Sequence, residues 1–573
     1  MKSLLQKWGL PALTLLTFFI LLGCRSLNEP DEGRYSEIAR EMIETGDWLV
    51  PHLWYLPHLD KPPMTCWLVA ASMKLFGQNE WAARLPVALA GISGVWAVFL
   101  LGCSMGGRHA GFWGAVILQS SLLFFVMARM LTPDIIVTQF IAWAMYFFWR
   151  SWQAANAECG VRSAEFFAWH LAGWAAIGFG FLTKGPIALA IPLVALVALL
   201  IFRRRGIFPI KTVFTGLLAG FALFLLLAAP WFLAVFQRVP ESAHYMILGQ
   251  AAGHLLGTTI KNRPGNPFYF FGILAAGFLP WTFLLGWLWR QSEISKSALR
   301  TPRSALSKDG WLLLNVWAIF TFALFSFSHA KLPAYILPIF PALAVMLALR
   351  FFGEGRDAES APRWVWRICM ASSLLLSAIF SPLVKYAFRD ALPDWMKWQT
   401  PVIAVAALLI FWLARKWKPT ACAVGAAALA VLSLMITVAE IPLFEANLRD
   451  NQTLKPLGVA LRENYRPGDE VVCWGRLPQG LPFYSGTAIS GTNRPYFGGM
   501  DLTLVPFEFP GNRERLGNFL LPDENALAQL LAGGRRVWVV SFGDEAAKIQ
   551  QARGTAPLHL VTRVGRWELF SNR

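Results

Sequence analysis

The stretch Asn28-Glu29-Pro30-Asp31-Glu32-Gly33-Arg34 sets carboxylates and a guanidinium just beyond an apolar run that ends near residue 24. Carboxylates this close to a bilayer carry a desolvation cost, so they need a chemical reason to be there. For Asp31 and Glu32, a general base or a cation-binding role supplies one. Leu59-Asp60-Lys61-Pro62-Pro63 comes next. A lysine fixed by two prolines beside an aspartate is a point charge suited to phosphate, although Asp60 and Lys61 would serve equally as a loop salt bridge. Other polar groups stand at the ends of apolar runs: Arg129 and Asp134, Lys184 in Leu182-Thr183-Lys184-Gly185-Pro186, and Lys331 and Tyr335 in Ser328-His329-Ala330-Lys331-Leu332-Pro333-Ala334-Tyr335. The segment 237–267 adds His244, Tyr245, His254, Lys261 and Arg263. One such lysine could be a snorkelling anchor. Several on one membrane face converge on an anionic headgroup. A lone histidine such as His254 is more often a loop residue than a ligand.

Together these groups suit displacement at a phosphate-activated carbon. The cations stabilise charge on the departing phosphate. A carboxylate takes the acceptor's proton or orients the acceptor. The sequence contains no nucleotide-binding loop, so a donor attached to a membrane lipid fits better than a soluble nucleotide sugar.

The elements that must position these residues are membrane helices. Of 573 residues, 56% are hydrophobic and 15% charged, an apolar fraction that soluble proteins rarely reach. The 27 Trp and 44 Phe suit aromatic belts at lipid–water boundaries. Runs of membrane-spanning length fall near 8–24, 85–102, 110–127, 133–150, 167–183, 186–202, 212–236, 268–290, 311–328, 332–350, 366–385, 400–414 and 420–439, about thirteen in all. The ending Leu21-Leu22-Gly23-Cys24 resembles a lipoprotein cleavage box, but with further spans following we read 8–24 as an uncleaved first span.

The basic residues set the orientation. With the N-terminus inside, Arg203-Arg204-Arg205, the cluster Arg290 to Lys308, Arg350 to Arg363, and Arg415 to Lys418 all face the cytoplasm. The net charge of +17 is therefore a topology signal rather than a nucleic-acid footprint. The same count puts 25–84, 127–132, 183–186, 237–267, 328–332 and everything after about 440 outside. Within the first outside loop, Ile38 and Met42 form an apolar stripe. That predicts an amphipathic helix lying on the membrane surface, with Glu37, Arg40 and Glu44 as its solvated face.

The chain divides into a membrane part, 1–440, and a small outer α/β domain, 441–573. The latter has strand-like runs at 470–474 and 537–541 and a helical stretch near 523–533. It shows no nucleophile elbow, phosphate loop or metal cluster and is expected to be a structural or partner-docking cap. The seven cysteines are scattered and form neither a disulfide framework nor a zinc motif.

Asp31-Glu32-Gly33-Arg34-Tyr35-Ser36-Glu37-Ile38-Ala39-Arg40-Glu41-Met42, followed by Gly46-Asp47-Trp48-Leu49-Val50-Pro51-His52, closely resembles the first periplasmic loop of the aminoarabinose transferase family, enzymes that modify lipid A and are related to protein mannosyltransferases. The likeness continues through Lys61-Pro62-Pro63, Asn79-Glu80-Trp81-Ala82-Ala83-Arg84-Leu85-Pro86, Leu182-Thr183-Lys184-Gly185 and Lys331-Leu332-Pro333-Ala334-Tyr335-Ile336-Leu337-Pro338, roughly residues 5–350. The resemblance implies a mostly α, polytopic glycosyltransferase of GT-C fold with thirteen membrane helices, in the bacterial inner membrane, its site and C-terminal domain periplasmic. It implies an undecaprenyl-phosphate sugar donor, no required cofactor, and inversion at the sugar.

By motif position, Asp31 becomes the catalytic carboxylate, Arg34 and Lys61 contact the donor phosphate, and Tyr335 lines the same cavity. Asp60 stands where the family usually has Glu, near a position that can bind a divalent metal; Asp60 and His254 are the metal candidates. The acceptor stays open between lipid A phosphate, another envelope glycan and protein hydroxyls. A phosphate acceptor is already anionic and needs little base catalysis, whereas a hydroxyl does. A transporter or flippase for lipid-linked intermediates is the alternative from another class. Transporters usually place their polar groups near mid-membrane and often carry repeats; here the groups gather at one face and no repeat is seen.

Overall fold

The structure is a computed structural model that describes residues 2–156, 163–202, 210–252, 265–288, 302–353, 358, 361–388, 394–444, 453–501, 506–543, 545, 549 and 557–573. Six described helices are long and apolar enough to cross a membrane: Glu80–Gln119, Ala164–Lys184, Thr212–Arg238, Lys308–Phe327, Pro333–Phe352 and Pro419–Glu440. The apolar pair Tyr269–Gly277 and Trp281–Trp287 is bent by 115° at the break, the shape of a broken span or a re-entrant loop. The chain is thus a multi-pass membrane protein, and the expected thirteen spans are not confirmed. Part of the difference is local geometry. The helix numbered Glu80–Gln119 is broken at Gly106 and Gly107, where Gly107 takes φ 85°. A Cβ on Gly102 would come within 2.8 Å of the Gly111 backbone, so the two halves fold back on each other as a close glycine-lined hairpin. The second half stops at Gln119, short of the expected 127, and a separate turn of helix follows at Leu122–Met127.

Helix α1 spans Lys2–Phe19 and α2 spans Asp31–Thr45. Gly46 ends α2 in the left-handed region at φ 70°, its N–H returning to the Met42 carbonyl at 3.1 Å. A hairpin of β1 (His52–Leu53) and β2 (Leu56–Pro57) packs on α2. Its two turn residues, Trp54 and Tyr55, both have positive φ, 57° and 59°, a conformation that usually calls for Asn-Gly. Glu41 holds them there: its two oxygens accept the N–H groups of Trp54 at 2.6 Å and Tyr55 at 2.9 Å. Helix α3 (Met64–Phe76) then leads to α4 (Glu80–Gln119), whose Asn79 cap accepts from Ala82 N–H at 2.8 Å.

The small C-terminal sheet domain has strands β3 (Glu470–Trp474), β4 (Tyr496–Gly498), β5 (Val537–Phe542), β6 (His559–Val564) and β7 (Trp567–Ser571) in the order β4-β3-β5-β7-β6. The two expected strands are present as parallel neighbours, β3 and β5. Asp523 caps the expected helix, Glu524–Ala532, by accepting from Ala526 N–H at 2.9 Å. The aliphatic and aromatic runs of β3 and β5 are buried, as a sheet covered by helix requires.

This domain sits directly on the first loop. Leu27 N–H donates to the Tyr484 hydroxyl at 2.8 Å, the Gln78 amide to the Phe483 carbonyl at 2.6 Å, and the Asn512 amide to the Pro57 carbonyl at 2.9 Å. The rings of Trp54 and Phe497 meet edge to face at 5.3 Å. Such cover overturns the expectation that α2 lies on the membrane with a solvated charged face. Glu37 and Glu41 are fully buried, and Arg40 reaches Glu37 at 2.7 and 2.8 Å and the Tyr55 hydroxyl at 2.9 Å. Glu44 accepts from Gly491 N–H of the C-terminal domain at 2.9 Å. The charges pair inward because a domain replaces the water that was expected above them.

Candidate active site

A cavity of about 310 Å³ opens where the first loop, the span ends beside it and the C-terminal domain meet. Asp31 is the first residue of α2, following the cis Glu29–Pro30 peptide bond. Placed there, its carboxylate is favoured by the helix N-terminus. Its side chain keeps 48% of its exposure, while that of Arg34 one turn on keeps 15%, and the two form an ion pair. The guanidinium cannot be fully satisfied by Asp31 alone: Arg34 Nε–H is buried with no hydrogen-bond partner. A buried donor left over in a cavity is a donor for a ligand oxygen.

Asp60 and Lys61 line the same cavity from the loop before α3. Lys61 Nζ donates to its neighbour's carbonyl at 2.9 Å, and Asp60 accepts the Tyr245 hydroxyl at 2.6 Å. His58 Nε2 lies 3.9 Å from the other Asp60 oxygen. Helices Pro133–Ala155 and Ser163–Lys184 bring in Asp134 and Lys184, which form an ion pair. The Lys184 ammonium lies 4.4 Å from the Tyr335 ring centroid, a cation–π contact that orients it. Asp31, Arg34, Asp60, Lys61, Asp134, Lys184 and Tyr335, expected from separated stretches of sequence, therefore share one cavity.

Three expected site residues do not join them. Glu32, expected as a second catalytic carboxylate, is 1% exposed and lies outside the lining. Arg25 reaches it at 2.6 and 2.9 Å, Arg84 at 2.8 and 2.9 Å, and the N–H groups of Asn28 and Leu131 at 3.0 and 3.1 Å. Burial would raise its pKa, but the two guanidiniums hold the carboxyl far below its ordinary range. Glu32 is the tie that joins α2, α4 and the 129–131 turn. Arg129 donates to the Thr17 and Phe18 carbonyls at 2.9 and 3.1 Å and to Ile20, closing the C-terminal end of α1. Lys331 similarly donates to the carbonyls of Phe325 and Ser326 at 2.8 and 2.6 Å, at the end of helix Pro302–Phe327, while its neighbours Ala330 and Leu332 face the cavity. His254 lies outside the described residues.

One wall was not expected at all. Gly475, Arg476, Leu477, Gln479, Met500, Asp501 and Phe507 of the C-terminal domain line the cavity. The loop after β3 is locked to the acidic loop by Glu29, whose oxygens accept Gly480 N–H at 2.6 Å and Gln479 N–H at 2.8 Å. A Cβ on Gly33 would come within 2.8 Å of Gly480 N, so glycine faces glycine across this joint. Burial pushes the Glu29 carboxyl up to about 8, against the pull of those two amides and of Arg476 and Arg34. The sequence carries one signal for this wall: the Gly475-Arg476-Leu477-Pro478-Gln479-Gly480 string directly after a strand. For the metal expectation, no three His, Cys, Asp or Glu among the described residues are grouped to hold an ion, and one oxygen of Asp60 is taken by Tyr245.

A family model described as dolichyl-phosphate-mannose-protein mannosyltransferase matches residues 60–234. Across its length the chain shares the fold of ArnT from Cupriavidus metallidurans, solved with undecaprenyl phosphate bound and in the apo state, with TM-score 0.77, 23% identity, and 99% and 97% of the two chains covered. The chain thus has the GT-C fold of a multi-pass membrane protein. The undecaprenyl phosphate-alpha-4-amino-4-deoxy-L-arabinose arabinosyl transferase of Aeromonas hydrophila is 34% identical over 396 residues, 66% of this chain and 67% of the relative. Its counterpart in Edwardsiella ictaluri is 33% identical and is covered over 62% of its length. The chain belongs to this arabinosyl transferase family.

Proposed function

We propose that the protein moves 4-amino-4-deoxy-L-arabinose from undecaprenyl phosphate to a phosphate of lipid A, with inversion at the sugar, on the periplasmic face of the bacterial inner membrane. The observation that carries this reading is the gathering of Asp31, Arg34, Lys61, Lys184 and Tyr335 from separate segments around one cavity. Arg34, with its unpartnered Nε–H, and Lys61 receive the donor phosphate. Lys184, steadied by Tyr335 and Asp134, adds charge where the phosphate departs. Asp31, half exposed beside Arg34, orients the acceptor and takes any proton it still carries. A phosphate acceptor fits this arrangement because it is already anionic and asks for orientation more than deprotonation. The basic loops named above support placing the cavity on the outer face.

The test is transfer by the purified protein in detergent, with undecaprenyl-phosphate aminoarabinose as donor, read by mass spectrometry. Lipid A bisphosphate should gain one or two aminoarabinose units, while a hydroxyl-bearing peptide should gain none. Sugar on the peptide alone would replace this acceptor with the hydroxyl class. No transfer to either by well-folded protein would leave the transport reading standing, since transport needs a sealed compartment and detergent supplies none.

A further inference from the structure

The loop that closes the cavity from the C-terminal domain carries an exposed cation and a buried acceptor that no donor meets. Of the lining cations, Arg34 pairs with Asp31, Lys184 with Asp134, and Lys61 donates to a carbonyl. Arg476 has no carboxylate partner among the described residues. It is exposed in the cavity, with its guanidinium 4.7 Å from the Phe542 ring centroid. Arg566 covers the same ring at 4.6 Å, so the stack fixes the direction of Arg476 without neutralising it. Arg476 acts on Glu29 only through space, since both Glu29 oxygens are engaged by backbone amides. Three residues on, Gln479 Oε1 is buried and accepts no hydrogen bond. A buried acceptor with no donor costs free energy unless a ligand supplies one.

The loop is also held rigidly. Gly475 turns the chain at φ 83°, its N–H bonded to the Gly498 carbonyl at 3.0 Å. Gly480 is clamped by Glu29 at the other end. A fixed cation and a fixed acceptor on one short loop match a phosphate that stands next to a hydroxyl or amide N–H, the pattern of a phosphorylated amino sugar. On the proposed function the donor phosphate is served by other segments, the cations of the first loop and the span ends, which leaves the C-terminal wall for the acceptor. An in-line displacement needs the nucleophile and the leaving phosphate on opposite sides of the reacting carbon.

We propose that the Gly475–Gly480 loop is the acceptor subsite, with Arg476 binding the phosphate of a phosphorylated amino sugar and Gln479 Oε1 accepting from its neighbouring hydroxyl or amide. This rests on the acceptor class proposed above, and it makes the C-terminal domain a specificity-determining wall rather than a cap.

The test compares wild type with Arg476→Gln, Arg476→Lys and Gln479→Leu in the full-length protein. Two quantities are read: the KM values for donor and for lipid A bisphosphate, and equilibrium binding of lipid A bisphosphate without donor. Arg476→Gln is expected to raise the acceptor KM and the binding constant by about tenfold or more while the donor KM stays within about twofold. Arg476→Lys should recover part of that loss, and Gln479→Leu should cost less than Arg476→Gln. Unchanged lipid A binding in Arg476→Gln, with folding intact by thermal unfolding, would overturn the subsite. An equal rise in donor KM would overturn it too, by assigning Arg476 to the departing phosphate. Because binding is read without turnover, wild type that binds lipid A but transfers nothing would count against the proposed reaction and leave the subsite intact.

Discussion

Asp31 and Glu32 are adjacent, and the regions they enter are opposites. Asp31 faces the cavity, half exposed, beside one arginine that still has a donor to give. Glu32 enters the junction beneath, 1% exposed, with two arginines and two backbone amides consuming its lone pairs. On the proposed reaction the same chemical group is a reagent in one setting and a rivet in the other. What separates them is spare hydrogen-bonding capacity and access, not proximity to the membrane. A carboxylate whose partners are all protein has nothing left for a substrate.

The contrast is sharpest in paired substitutions. Asp31→Asn should lower kcat by at least about 100-fold, through lost orientation of the acceptor and of Arg34, while leaving the melting temperature near that of wild type. Glu32→Gln should do the reverse: it leaves Arg25 and Arg84 without their counter-charge, costing about 3–5 kcal/mol of stability, seen as loss of folded protein on size exclusion and a lower melting temperature. Equal loss of activity in well-folded samples of both would erase this distinction. Lys184→Met should reduce kcat/KM by about tenfold to 100-fold, because it removes the charge proposed to face the leaving phosphate and leaves Asp134 unpaired.

The smallest effect concerns the joint between the two walls. Glu29 titrates near 8 when folded, against an ordinary 4.5, so the folded form holds a proton that the unfolded chain has lost between those values. Its contribution to stability is therefore fully present at acid pH and is lost as pH rises through about 8. Thermal unfolding between about pH 5 and 9 should show a declining melting temperature in wild type, and a flatter profile in Glu29→Gln, which cannot ionise. An identical slope in both would remove Glu29 from the joint's pH response.

Much of the site is legible in the sequence. Asp31, Arg34, Asp60, Lys61, Asp134, Lys184 and Tyr335 stand out there as polar groups at outer span ends, and they do meet. The same logic misleads for Glu32, Arg129 and Lys331. An ionisable residue at a span end looks alike in sequence whether it faces a cavity or closes a helix terminus, since both uses need a charge at the same depth. The charged face of α2 misleads for a related reason. Helical spacing shows which residues share a face, but not what covers it, and here the cover is a domain about 450 residues further along the chain.

In the C-terminal domain, the two apolar parallel strands are visible in the sequence. The edge strand β6 is not, because its residues are largely exposed and carry no alternation. Nor does the sequence show that a loop ending in Gly480 meets Gly33: a glycine that permits close approach is indistinguishable from one that permits a turn. The glycine break at Gly106 and Gly107 falls in the expected gap between two spans, yet only the backbone shows the tight return.

On the proposed reaction, Asp31, in a cavity shared with Arg34, Lys61 and Lys184, carries out transfer of a lipid-linked sugar. The most direct measurement is a single-turnover assay of detergent-purified wild type and Asp31→Asn, with undecaprenyl-phosphate aminoarabinose and lipid A bisphosphate, following modified lipid A by mass spectrometry. Wild type should yield modified lipid A, and an equally stable Asp31→Asn protein should form it at least about 100-fold more slowly. Transfer by Asp31→Asn at the wild-type rate would contradict a catalytic role for this carboxylate.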